Sequence, residues 1–413
     1  MPQRGPGSDE GRRRTALRFI LMLGLVSLLG DIAYEGARSV TGPYLAVLGA
    51  SAVVVGLATG LGEFAAYALR LGSGYIADRT GRYWPLTAVG YGLILSIPLL
   101  AVVGSWELAV ALIILERLGK AIRSPARDAM LSHATSQVGR GWGFGIHEAL
   151  DQVGAILGPV ILFAAFLSRG GYREGFAILL APALLALAVL LAARAEVPSP
   201  ERLEDPRAAA GPATEGGLPK VFWLYTLFTF LSVAGFASFQ LISYHFKVRS
   251  VVQEGQIPAL YAVAMGIDAL VALAAGRAYD RIGLRSLMAI PLLTAPIAFL
   301  AFSNSYELAV AAAILWGSAM GIHETTMRAA IADLTPAGRR GSAYGIFNSA
   351  YGLSWFFGGA LMGFLYERSI GALVSFAVLM EAISIPALLS VGRAVREGRS
   401  APPRAFRADP ARI

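Results

Sequence analysis

Asp31, Glu35 and Arg38 stand at i, i+4 and i+7, a spacing that places them on one face of a helix. The stretch around them is apolar, and a charge inside an apolar span is costly enough to mark a functional position by default. A carboxylate beside an arginine stays ionised, while one left alone in a low-dielectric cavity takes a proton. Two carboxylates and an arginine on one face therefore have the makings of a proton-binding switch. A second stripe, Glu116, Lys120, Arg123 and Arg127, has comparable spacing farther along the chain. The first half also holds Glu63, Arg117, Glu148 and Asp151 in apolar surroundings, whereas the second half offers mainly Asp268, Glu324, Arg328 and Glu381. Ion or proton chemistry is accordingly expected in the first half.

Other chemistries find less support. The chain has no cysteine and four histidines, which excludes thiolate metal sites and cysteine nucleophiles. His147-Glu148 and His323-Glu324 each join a histidine to a carboxylate, but adjacent residues point to different helix faces, so no metal site is expected. No Ser-His-Asp constellation stands out and no P-loop occurs, so neither a catalytic site nor nucleotide drive nor any cofactor is expected.

The elements that must position these charges are membrane helices. The 413 residues are 56% hydrophobic and only 15% charged, with 47 glycines, too few polar groups to cover a soluble protein of this length. Mean hydropathy is +0.60. Apolar runs fall at 17–45, 51–77, 83–104, 107–133, 141–168 and 172–193, and again at 220–246, 256–277, 285–303, 307–333, 341–366 and 370–392. This pattern predicts an all-α integral membrane protein of twelve transmembrane helices in two sets of six. Five prolines and mixed charges between Glu196 and Pro219 mark a linker. The expected organisation is a disordered N-terminus over 1–16, a bundle over 17–195, the linker over 196–219, a second bundle over 220–392 and a tail over 393–413.

Lys and Arg orient the chain. About 23 of the 35 fall on the side of the termini and about 5 in the opposite loops, so both termini are expected in the cytoplasm. The net charge of +8 is read as this bias rather than as a nucleic-acid surface.

The two halves repeat one another. Gly74, Asp78, Arg79, Gly81 and Arg82 after the second run have a copy in Gly276, Asp280, Arg281 and Gly283 after the eighth, both reading G-x-x-x-D-R-x-G. Gly139-Arg140-Gly141 and Gly338-Arg339-Arg340-Gly341 open the fifth helix of each half. With these motifs the sequence resembles the major facilitator superfamily, from about Arg18 to Gly392. The resemblance implies two pseudo-symmetric six-helix bundles, a cavity at mid-membrane, alternating access, a monomer and a bacterial-type inner membrane. In the loops, glycine permits a tight turn and Asp78 can latch a neighbouring helix by charge-assisted bonds.

Gly145, Gly154, Gly158 and Pro159 resemble, in part, the fifth-helix motif of proton-coupled drug antiporters, although Leu162 and Phe163 stand where that motif has a glycine pair. As small-xxx-small spacing, they also suit close helix packing. The span-4 segment from Arg117 to Asp128 resembles the R-x-G-K-G-x-R-x-x-P-R-D signature of a bacterial branch of the superfamily, with Ala121 for its second glycine. First and fourth helices line the cavity in the superfamily. Asp31 and Glu35 are therefore the expected proton-titrating pair, with Arg117 or Arg123 as counter-charge and Arg38, Glu63, Glu148 and Asp151 in the same network. Lys120, Phe239, Tyr244, His323, Glu324, Arg328 and Tyr351 are the expected substrate-cavity residues. The expected function is secondary transport driven by a proton gradient, exporting a small organic or amphipathic compound. Proton symport of an organic solute or anion, and flippase-like lipid handling, are the alternatives. Partners are membrane lipids, protons and the small-molecule substrate.

Overall fold

The computed structural model describes residues 9–203, 217–335 and 340–400, and every regular element among them is a helix. The first half comprises α1 (Asp9–Val47), α2 (Ala52–Thr80), α3 (Tyr83–Gly92) continued by α4 (Ser96–Leu99), α5 (Trp106–Thr135), α6 (Arg140–Leu167), and α7 (Tyr172–Ile178) continued by α8 (Leu180–Glu196). The second comprises α9 (Lys220–Gly235) continued by α10 (Phe239–Val248), α11 (Ile257–Ile282), α12 (Ala289–Ala301), α13 (Tyr306–Leu334), α14 (Arg340–Arg368) and α15 (Ile370–Ser400). Nine helical stretches among the described residues are long and apolar enough to cross a membrane. One of them, Glu254–Ala301, has 48 residues, about twice what a single pass needs. Helix α5 lies outside that group, because it carries six charges between Glu116 and Asp128.

Local chemistry sets the helix ends. Ser51, Ser105, Ser238 and Ser305 each cap a helix, their hydroxyls accepting from the amides of Val54, Leu108, Leu241 and Leu308. Ser105-Trp106-Glu107-Leu108 and Ser305-Tyr306-Glu307-Leu308 open α5 and α13, the same signal in corresponding helices of the two halves. Gly81 and Gly283, the last glycines of the two loop motifs, both take positive φ, 62° and 60°.

Three boundaries differ from expectation or fall outside the described residues. Helix α1 starts at Asp9, inside the segment expected to be disordered, and an Arg14–Glu10 pair at 2.9 Å supports its first turns. The start of the expected linker packs on the first half, where Trp84 Nε1 donates to Val197 O and Gln137 Nε2 to Leu203 O. Helix α15 runs on to Ser400, into the expected tail. Residues 1–8, 204–216 and 401–413 of those three segments lie outside the described residues.

Glycines set how closely the helices approach. A Cβ at Gly154 would strike the backbone of Leu28, and one at Gly158 would strike Ile32 and Gly36, so α6 lies directly on α1. Pro159 is buried at the same crossing, whereas Gly145 meets open space. The two halves meet the same way near the face opposite the termini: Gly42 on the Gln240 carbonyl, Gly56 on Gly359, and Gly363 on Ala52. Tyr244 Oη donating to Ala50 O at 3.3 Å and Val53 N donating to Glu367 Oε1 at 3.2 Å seal that face further.

The seventh pass is broken at mid-span. Phe236 to Ser238 separate α9 from α10, and Trp316 Nε1 donates to the Ala237 carbonyl freed there, at 3.0 Å. Such breaks are tolerated in membrane proteins where neighbouring helices satisfy the freed backbone.

Gly158→Leu is expected to force α6 off α1 and cost about 1–3 kcal/mol, read as a lower melting temperature of the purified protein. Gly145→Ala, which adds its methyl to open space within a helix, is expected to stabilise by about 0.4–1 kcal/mol in the same assay.

Candidate functional site

A cavity of about 470 Å³ lies between the halves, lined by α1, α5 and α6 on one side and by α11, α13 and α14 on the other, with α2 at its edge. Asp128 and Glu148 are exposed where it nears the face of the termini, and Glu35 and Arg38 stand at its inner end. Farther in, Tyr34, Glu63 and Arg117 join Glu35 and Arg38 around a chamber of about 50 Å³. The close glycine contacts of the opposite face lie beyond it. The cavity therefore faces the side of the termini.

The charges form three clusters. In the inner one, Glu63 Oε1 is shared by Arg117 Nη2 at 3.0 Å and Arg38 Nη2 at 3.5 Å, and Arg38 Nη1 reaches Glu35 Oε1 at 3.4 Å. All four side chains are buried. Two arginines against two carboxylates make this cluster neutral, which buried charges require. Tyr34 serves as its platform, with the Arg117 guanidinium 4.4 Å and the Lys120 ammonium 4.1 Å from the ring centre. The Tyr261 hydroxyl on α11 donates to Glu35 Oε2 at 2.6 Å, tying the cluster to the second half.

In the second cluster, Arg123 binds Glu116 on its own helix at 2.9 Å and donates to the Gly90 carbonyl at 3.3 Å. Its guanidinium also lies 5.0 Å from the Tyr91 ring centre. Arg123 thus fastens α5 to α3, and of the two arginines considered as counter-charge it is Arg117 that joins the α1 network.

The third cluster lies toward the termini. Ser27 Oγ accepts from Arg127 Nη1 at 2.8 Å and meets His147 Nε2 at 3.0 Å and the Tyr91 hydroxyl at 3.2 Å. Deeper on the same wall, the carboxyl groups of Asp31 and Asp151 lie within hydrogen-bonding reach of each other. Half-buried Lys120 acts electrostatically on both of them and on Glu63, and makes no ion pair among the described residues.

Of the expected substrate residues, Lys120 and Glu324 line the cavity. Phe239 does not: its ring is buried between Tyr261 and Trp316, at 4.6 and 5.4 Å. Tyr244 belongs to the sealed opposite face. Tyr351 is buried edge-on against Tyr67 at 4.9 Å. His323 is buried too, stacked on Phe236 at the α9–α10 break with Nδ1 3.2 Å from Met327 Sδ. The Arg328 and Asp78 side chains lie outside the described residues. Arg79 bonds the Tyr75 hydroxyl at 2.6 Å on the surface, and Arg82, Asp280 and Arg281 are exposed. Gly74 faces Pro125 and Gly276 faces Thr325, each at ordinary contact distance.

Several site residues escaped the sequence reading. Tyr34, Tyr261, Ser27 and Tyr91 carry no charge and so gave no signal of their own, although Tyr34 sits beside Glu35. Asp268 was visible as a charge within an apolar run, and the structure sets it in the cavity wall.

Comparison with known proteins agrees with this architecture. The family model described as Major Facilitator Superfamily matches residues 15–267 and 250–411. The chain is 44% identical over 392 residues to an uncharacterized protein of Mycobacterium tuberculosis, covering 93% of this chain and 96% of that one. It is 28% identical over 364 residues to an uncharacterized MFS-type transporter of Methanocaldococcus jannaschii, covering 85% and 89%. Among solved structures, a bacterial homologue of the human lysosomal transporter Spinster, inward-facing and unoccupied, is similar with TM-score 0.71 at 16% identity, covering 94% of this chain and 99% of that one. The nucleoside transporter NupG gives TM-score 0.69 at 15% identity, covering 92% and 99%.

Removing the shared carboxylate of the inner cluster leaves two buried arginines short of a partner. Glu63→Gln is expected to cost about 3–5 kcal/mol, measured as loss of thermal stability in detergent.

Proposed function

The chain belongs to the Major Facilitator Superfamily, and from that premise we propose that it is a proton-coupled antiporter that exports a small organic or amphipathic compound by alternating access. Family membership carries the coarser statement: this is a multi-pass secondary transporter with a small-molecule substrate, and not an enzyme.

The proton part rests on one observation, the facing carboxyl groups of Asp31 and Asp151 in the cavity wall. Two carboxylates at hydrogen-bonding range in a low dielectric repel one another, and one proton held between them removes the conflict. Lys120 supplies the competing positive charge. When the ammonium moves toward the pair, the proton is released; when it is drawn toward Glu63, the pair takes the proton back. Glu35, first expected to titrate with Asp31, instead accepts from Arg38 and Tyr261 and serves as an anchor.

Export is supported by the partial fifth-helix motif, and the cavity faces the termini. The excess of Lys and Arg on that side favours a cytoplasmic location for both termini, and hence an inner-membrane protein that loads from the cytoplasm. A monomer is the proposed state, as the resemblance to the superfamily implies. The Glu196–Pro219 stretch serves as the cytoplasmic linker between halves.

The test is made in proteoliposomes holding a pH-sensitive dye, against a panel of lipophilic amines, weak acids and sugars. Wild type is expected to move protons when one class of compound is added. Asp31→Asn and Asp151→Asn are each expected to abolish that proton movement, while Glu381→Gln, a buried acid held by Ser232 and Ser384 outside the cavity, leaves it intact. A compound carried by wild type without proton movement would end the antiport reading.

A further inference from the structure

The two walls of the cavity differ in chemistry. All five bases among its described lining residues come from the first half; Arg38 is engaged by Glu35 and Glu63, Arg123 by Glu116, and Arg127 by Asp128. From the second half the described charged residues in the lining are acids, Asp268 on α11 and Glu324 on α13.

Asp268 is 3% exposed, and its Oδ1 has no hydrogen-bond donor. The carboxyl is held in place by α13, whose Gly321 leaves room for it: a Cβ there would come within 2.9 Å of Oδ1. Glu324, Glu35 and Glu148, acids from three other helices, act on it electrostatically, as does Arg38. One turn from Glu148 on α6, Gln152 Oε1 also lines the cavity without a donor. Buried acceptors without donors are uncommon in folded proteins, and each is a place where a donor belongs.

The kind of donor follows from the surroundings. A divalent metal needs several converging oxygen or nitrogen ligands, and no group of three His, Asp or Glu that could hold a metal occurs among the described residues. A carboxylate ligand would meet like charge from Glu324 and Glu148. An ammonium group instead gives Oδ1 a charge-assisted hydrogen bond and is attracted by both neighbours. Met265 and Met320, buried thioethers that line the same wall, offer a deformable apolar surface to the rest of the molecule. A volume of about 470 Å³ suits a small organic compound.

We propose that Asp268 is the docking point for the protonated amine of a cationic substrate, with Met265 and Met320 covering its apolar part. The assignment rests on the transporter reading of this cavity and names its substrate class. It gives the second half the task of holding substrate, across the cavity from Asp31 and Asp151.

The test is calorimetric, on the purified full chain without any gradient. The probes are phenethylamine and 4-phenylbutylamine, with phenethyl alcohol and 3-phenylpropionate as neutral and anionic counterparts. Wild type is expected to bind the amines more tightly than the alcohol or the acid. Asp268→Asn is expected to weaken amine binding about tenfold or more, with alcohol binding unchanged, while Asp268→Glu retains amine binding and Glu381→Gln matches wild type. Because the chain has no cysteine, Met320→Cys supplies a readout independent of those variants: phenethylamine should slow its labelling by a maleimide and 3-phenylpropionate should not. Amine affinity unchanged in Asp268→Asn, tighter binding of the acid, or no amine binding by wild type would each overturn the assignment. Amine binding that drives no proton movement in liposomes sinks the antiport reading and leaves the site standing. Proton movement driven only by acids or sugars does the reverse.

Discussion

Glu63, held by Arg38 and Arg117 at once, is the interaction on which the rest of the molecule depends. Each buried ion forfeits several kcal/mol of hydration, so α5 can carry its charges through an apolar bundle only if another helix supplies a counter-charge at the right depth. Helix α2 supplies Glu63, and α1 adds Arg38 and Glu35. The three helices are thereby locked in register, and their four charges cancel. Asp31, Asp151 and Lys120 line the cavity beside that network, outside its ion pairs.

Glycine provides the complementary constraint. Glycines on α1, α2 and α14 let backbones touch near the face opposite the termini, Gly42 against the Gln240 carbonyl of α10 among them, where no hydrophobic driving force favours one helix partner over another in lipid. The contact is tight because nothing projects from it. Toward the termini the same pair of helices, α2 and α14, meets through larger groups, Leu71 over Gly345 and Tyr67 over Gly352, and the cavity lies beside them. One side is thus closed by backbone fit, and the other is lined by charge.

The fold was largely legible in the sequence because its causes are local and repeated. Apolar runs, the two G-x-x-x-D-R-x-G loops and the Lys and Arg bias each act within a span or a turn. The candidate site was legible only in its charged members. Asp31, Glu35, Arg38, Glu63 and Arg117 lie where charges in apolar helices are expected to lie, but which arginine serves which carboxylate depends on how helices rotate against each other. A single sequence does not encode that in its periodicity. Arg123 shows the difficulty: its spacing from Glu116, seven residues, reads as readily as part of a cavity-facing stripe as it does as an internal pair. Aromatic residues misled for the opposite reason. Phe239, Tyr244 and Tyr351 suit a ligand by type, yet aromatic rings are also what packed helices use to fill space, and all three are spent that way.

The Tyr261–Glu35 hydrogen bond joins these threads. It is a point at which the inner charge cluster, assembled wholly from first-half helices, touches the second half inside the cavity. Any movement that separates α1 from α11 breaks it, and the Glu35 oxygen it leaves must find another donor or a proton. Asp268 lies on α11 two turns beyond Tyr261, so the same separation carries the acid that we assign to the substrate away from the carboxyl pair that we assign to the proton. A ligand held at Asp268 favours the arrangement in which its own charge lies near α1. The two bound species are therefore coupled through the position of one helix, with no need for direct contact between them.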